Sequence, residues 1–219
     1  MNAFHFKTAA RTHMGNVRQR NEDSHLARPE IGLWVVADGM GGHSRGDRAS
    51  QLVTSTFAKL PEPQSAKELF RTVRDAIHDC HDELQKTAGE ISGCTVVALL
   101  AYDGSFACVW AGDSRIYRYR HGQLAQLTTD HNLASDMIAR GVDAEEAQNS
   151  PMANRLTRAV GIPGPLELDV DQDAIQRDDV FLLCSDGLTK HVDDPQISHT
   201  ITAAEEAKGA CRELIKMAN

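Results

Sequence analysis

Apolar positions along this 219-residue chain fall into two kinds of run. Behind Ser65-Ala-Lys-Glu68, a capping box, Leu69, Val73, Ile77, Cys80 and Leu84 recur at helical spacing. That pattern predicts a helix over Ala66 to Ala88. Another helix is predicted from about Arg45 to Leu60. From Thr95 to Thr128 the runs turn β-rich. Thr95–Ala101 and Phe106–Ala111 flank the turn signal Asp103-Gly104, and Ile116–Tyr119 and Leu124–Leu127 flank His121-Gly122. This stretch predicts an antiparallel meander. Ile31–Ala37, Leu166–Val170 and Val180–Cys184 read as further strands, and Phe4–Thr12 as an edge strand. Thr202-Ala-Ala-Glu205 reads as a second capping box, opening a last helix that runs to the end of the chain. Residues 130–155 are polar, helix-tolerant and poorly patterned, as a surface insertion would be.

Strand runs interleaved with helix pairs favour an α+β layer fold over a strictly alternating parallel sheet. No Gly-x-Gly-x-x-Gly and no Walker A loop occurs, so no nucleotide phosphate cradle is indicated. No linker or repeat divides residues 1–219, which read as one domain. Composition changes this picture little: 41% hydrophobic and 25% charged residues are ordinary for a globular chain. No apolar run approaches the roughly 20 residues that span a bilayer, and Met1 to Arg11 lacks a signal-peptide pattern. The five cysteines are scattered without a Cys-x-x-Cys pair, which suits reduced thiols and a cytoplasmic location. A formal net charge of -8 argues against a nucleic-acid partner.

The informative pattern is a repeated one. Leu33–Ala37 runs into Asp38-Gly39, Cys108–Gly112 into Asp113-Ser114-Arg115, and Phe181–Ser185 into Asp186-Gly187. One Asp-Gly after a strand is ordinarily a turn. Three strands of one core, each delivering a carboxylate, gather like charges that need cations or protons. Hard oxygen donors without histidine or cysteine suit Mg²⁺ or Mn²⁺ better than Zn²⁺. Asp38 and Asp186 are the leading candidate ligands, with the Gly39 carbonyl as a further oxygen. Glu22 and Asp23 follow Arg18 closely; the carboxylates suit support through water, and the arginine suits a two-point grip on phosphate.

Seven ordered segments carry a resemblance across nearly the whole chain: Gly15–Asp23, Val36–His43, Ser92–Thr95, Ala111–Tyr117, Leu127–His131, Leu156–Gly161 and Leu183–Thr189. With them the chain resembles the PPM/PP2C family of metal-dependent protein serine/threonine phosphatases, in its compact bacterial branch. The resemblance implies an α-β-β-α sandwich of two antiparallel sheets, with residues 130–155 in the place of a mobile flap. It implies direct hydrolysis of phosphoserine and phosphothreonine by a hydroxide bridging two Mg²⁺ or Mn²⁺ ions. Asp38 would bridge both ions, Gly39 would offer its carbonyl, and Asp186 would hold one ion. Glu22 and Asp23 would act through water or from behind, Asp113 would join Asp186 at a third, weaker site, and Arg18 would hold the phosphate. Phosphoproteins made by a cognate Ser/Thr kinase are the implied partners, with neither nucleic acid nor membrane involved.

Two departures stand out. Met40 follows Asp38-Gly39 where many eukaryotic members have a histidine general acid, and His43 is no safe substitute. The family's C-terminal Asp-Asn pair and final strand have no counterpart before Asn219, so the domain is expected to be C-terminally incomplete and to hold one ion loosely. The competing readings are a phosphoprotein-binding pseudophosphatase and a metal hydrolase of small phosphate esters.

Overall fold

The structure is a computed structural model that describes residues 4–41, 46–86 and 92–219. The first sheet contains β1 (Asp23–Arg28), β2 (Leu33–Met40), β3 (Gly93–Cys94), β4 (Val96–Tyr102), β5 (Ser105–Ala111) and β8 (Asp169–Ala174). Its order is β1-β2-β4-β5-β8, with the short β3 pairing to the end of β2. The second sheet runs β7-β6-β9, from β6 (Arg115–Arg120), β7 (Gln123–Gln126) and β9 (Val180–Cys184). Every strand pairing is antiparallel.

Period-2 alternation sorts the side chains into three apolar layers. Leu33, Val35 and Ala37 of β2, with Val96, Ala98 and Leu100 of β4, join α1 (Gly46–Ala58) and α2 (Ala66–Gln85) through Val53, Phe57, Val73 and Ile77. Val97, Leu99, Phe106, Cys108 and Trp110 meet Ile116, Phe181 and Leu183 between the sheets. The alternate positions Tyr117 and Cys184 meet Leu188, Ile197 and Leu214 from α5 (Asp186–Thr189), α6 (Asp194–Ala203) and α7 (Ala207–Ala218), with Val192 from the link between α5 and α6. The result is the expected α-β-β-α sandwich. Each such side chain contributes about 1.5–3 kcal/mol on full burial, so the strands are fixed chiefly by this layering.

Local signals account for most elements. Asp103 and Gly104 (φ 49° and 81°), and His121 and Gly122 (φ 51° and 82°), are left-handed pairs at the two hairpins, as tight two-residue turns require. Ser65 Oγ accepts from Glu68 N at 3.2 Å, while the Glu68 carboxylate turns back to Gln64 N at 2.8 Å. The expected helix limits at Arg45 and Ala88 lie outside the described residues.

Three expectations are corrected. Residues 5–12 form no strand; Phe6 instead packs edge-on against Trp34 at 4.9 Å, and Trp34 Nε1 donates to Thr8 Oγ1 at 3.0 Å. The strand expected at 166–170 lies at Asp169–Ala174, because Leu166 and Leu168 turn into the core instead of joining the ladder. Thr202 does not cap the last helix: it sits inside α6 and donates back to Ser198 O at 2.8 Å. The working capping box there is Asp193 with Gln196, and α7 begins after Glu206. The helix-tolerant residues 130–155 carry α3 (Leu133–Ala139) and α4 (Ala144–Gln148), with a small core of Ala134, Ala147 and Ala153.

Candidate active site

Asp23 and Asp38 are direct partners across the β1–β2 ladder, so both side chains leave the sheet on one face. Asp38 is not at a strand end, as expected, but inside β2; its N–H donates to Thr95 Oγ1 at 3.0 Å and its carbonyl accepts from Thr95 N at 2.8 Å. Thr95 Oγ1 in turn shares a hydrogen bond with Ser114 Oγ at 2.7 Å, tying Asp38 to the loop that carries Asp113. Asp113 follows β5 and is buried; Asp186 opens α5 directly after β9. Ser185 Oγ donates to Asp23 Oδ2 at 2.7 Å, which joins the two sheets at the site.

The four aspartates feel one another. Burial, and then the charges of Asp23, Asp186 and Asp113, push Asp38 up to about 9. Asp23 is also raised, by burial first, and shares a hydrogen bond with Asp38. Burial, then Asp186 and Asp130, push Asp113 up to about 6. A carboxyl raised as far as Asp38 by burial and neighbouring carboxylates marks a site suited to cations. The only cation paired with this cluster among the described residues is Lys190, whose Nζ contacts Asp186 Oδ2.

Gly39 lies where backbones touch. Its N–H donates to Glu22 O at 3.1 Å, and a Cβ added to it would stand 2.0 Å from Gly46 O. The Glu22 carboxylate is packed against Gly46, 2.7 Å from where a Cβ of Gly46 would be. Arg18 is exposed, directly after the turn at 15–17, and forms no salt bridge with another of the described residues. His43 lies outside them.

A cleft of about 280 Å³ opens beside the cluster. Asp113, Asp130, Asp186 and Lys190 form one wall; Ser135, Ile138, Gln148 and Asn154 of the 130–155 segment form another. Arg115 in this wall is committed to Asp130 by two bonds of 2.8 and 2.7 Å and to Tyr117 Oη at 2.9 Å. Cysteine chemistry is unsuited to the site: the five thiols are free, and burial pushes Cys108 and Cys184 up to about 12 and Cys94 higher still.

The donors suit hard divalent cations, with a specific coordination style. Among the described residues no three Asp, Glu, His or Cys side chains close around one point. Ions that keep several waters and bind through one or two carboxylates match such a set; an all-protein cage does not. Thr95, Ser114, Ser185 and Lys190 were missed as supporting residues. Lys190 has a readable signal, its position four residues after Asp186 on one helical turn.

Residues 12–214 match the profile of the family described as Protein phosphatase 2C. The chain belongs to that family. It is a metal-dependent protein serine/threonine phosphatase with bacterial relatives. The protein phosphatase 2C relative Stp of Listeria monocytogenes is 32% identical over 95% of this chain and 88% of its own length. PstP of Mycobacterium tuberculosis is 33% identical over 96% of this chain but 41% of its own length. Among solved structures, PppA of Pseudomonas aeruginosa, described as a key regulatory component of T6SS, aligns with TM-score 0.84 and 35% identity, covering 94% of this chain and 87% of that one. The PstP catalytic domain in complex with two manganese ions aligns with TM-score 0.81 and 31% identity, covering 96% and 90%.

Proposed function

We propose that Asp38, the Gly39 carbonyl and Asp186 hold two Mn²⁺ or Mg²⁺ ions, and that Asp113 and Asp186 hold a third more weakly. The observation that carries this reading is Asp38, raised by burial and by the charges of Asp23, Asp186 and Asp113, of which Asp113 and Asp186 line an open cleft. Bound there, divalent cations supply the Lewis acidity that makes water a nucleophile at neutral pH and offsets phosphoryl charge. The chain's own residues do the rest. Thr95 and Ser114 fix the backbone that presents Asp38. Glu22 and Asp23 support the ions through water or from behind, and Ser185 steadies Asp23. Arg18, without a competing carboxylate, takes the non-bridging phosphoryl oxygens of phosphoserine or phosphothreonine. The 130–155 segment, as the far wall of the cleft, contacts the residues flanking the phosphate.

The substrates in this reading are phosphoproteins made by a Ser/Thr kinase, and the setting is the cytoplasm. Among the described residues no helix is long and apolar enough to cross a membrane. The test is hydrolysis of a phosphothreonine peptide and of a small aryl phosphate, each with EDTA, with excess Mn²⁺ and with iodoacetamide. Mn²⁺-dependent turnover of the peptide that EDTA stops and iodoacetamide spares is expected. Activity surviving EDTA contradicts the metal reading, and turnover of the aryl ester alone contradicts the protein substrate.

A further inference from the structure

We propose that Lys190 is a tethered cation lying over the subsite between Asp186 and Asp113, so that a divalent ion entering that subsite must displace it. The inference rests on the assignment of these aspartates as metal-holding residues and adds a competitor built into the chain.

The geometry is local and specific. Asp186 opens α5 and Lys190 closes it, four residues later, so the two side chains share one helical face. Their charged ends are in contact. Lys190 also interacts electrostatically with Asp113 and Asp38, and it lines the same cleft wall as Asp113 and Asp186. The other cation in that wall, Arg115, is bound to Asp130 and Tyr117 and has no spare reach. One ammonium therefore serves the aspartate cluster as its internal counter-ion.

The pair is made to exchange. Half of the Lys190 side chain is in water, against 26% of Asp186, so the ammonium is rehydrated readily when it leaves. A half-exposed lysine on a flexible four-carbon stem loses little by swinging away, whereas a doubly charged ion gains both carboxylates. The subsite between Asp113 and Asp186 is thus self-filled at low divalent-ion concentration and metal-filled at high concentration. Once displaced, Lys190 stands on the cleft wall, where a phosphoprotein's acidic flanking residues would meet it.

The test is calorimetric titration of Mn²⁺ into the chelator-stripped protein, comparing wild type, Lys190→Gln and Lys190→Arg. Removing the competing charge should make the weakest Mn²⁺ phase of Lys190→Gln about tenfold tighter, or resolve one more ion, while Lys190→Arg follows wild type. Metal-free Lys190→Gln should also melt below metal-free wild type, because the aspartates lose their counter-ion. Superimposable titrations for wild type and Lys190→Gln overturn the inference while leaving the metal assignment intact. A wild type that takes up no Mn²⁺ overturns both.

Discussion

Gly39 and Gly46 bring the end of β2 and the start of α1 into backbone contact: a Cβ on Gly39 would lie 2.0 Å from Gly46 O and 2.2 Å from its carbonyl carbon. The same added carbon would lie 2.8 Å from Glu22 O. All three obstacles are main-chain atoms, so no side chain can swing aside. This junction brings the Glu22 carboxylate and the Gly39 carbonyl together at Gly46. It is a requirement for glycine that follows from closeness, not from an unusual φ.

Gly39→Ala should therefore cost about 3 kcal/mol or more in stability, at the upper end of overpacking. Gly209→Ala is the control. That glycine lies in α7 with nothing within 4 Å of the new carbon, and the change should stabilise by about 0.5–1 kcal/mol. Urea unfolding of both variants checks the pair. A Gly39→Ala protein as stable as wild type would show that the junction is looser than described.

His131 gives a pH prediction. Its Nδ1 accepts from Gly112 N at 3.2 Å, its Nε2 meets Asp169 Oδ2 at 3.2 Å, and its ring stacks on Trp110 at 6.1 Å. Burial lowers its pKa below 6.5, with Arg158 adding to the lowering and Asp169 and Asp136 opposing it. The neutral ring is the one that can accept from Gly112. The folded pKa is depressed, so the unfolded chain binds the extra proton first. This contribution is fully present above pH 6.5 and is lost as pH falls through the lower folded value. Wild type should lose stability from pH 6.5 to 5 more steeply than His131→Gln, which should itself cost about 1–3 kcal/mol at pH 8 by orphaning the Gly112 N–H. Parallel denaturation curves at both pH values would contradict the role.

Much of this architecture is legible in the residues, for definite reasons. β4 and β5 are buried on both faces or nearly so, so their apolar content is unmistakable, and the left-handed Asp103-Gly104 pair marks the turn between them. β8 was displaced because its sequence, Asp169-Val-Asp-Gln-Asp-Ala174, is polar: it is an edge strand paired only with β5. Thr202 imitates a cap because a threonine hydroxyl serves equally well bonded back to the carbonyl four residues earlier. At the site, Asp113 and Asp186 announce themselves by following apolar strands, and Asp38 by interrupting one near its end. Their supports do not, since Thr95 and Ser185 reach Asp38 and Asp23 only through long-range pairing. Lys190 is hidden by reading Asp186 as the end of β9 instead of the first residue of a helix.

The central claim is that Asp38 holds the catalytic ions. The most direct measurement is Mn²⁺-saturated turnover of a phosphothreonine peptide by Asp38→Asn beside wild type, with the metal-free melting temperature of each recorded. Removing a direct ligand should cost at least the roughly hundredfold that losing a supporting residue can cost. The metal-free melting temperature at neutral pH should rise, because the folded chain no longer has to hold a proton on a carboxyl that the unfolded chain leaves ionised. A folded Asp38→Asn protein that turns over peptide at the wild-type rate would contradict the account.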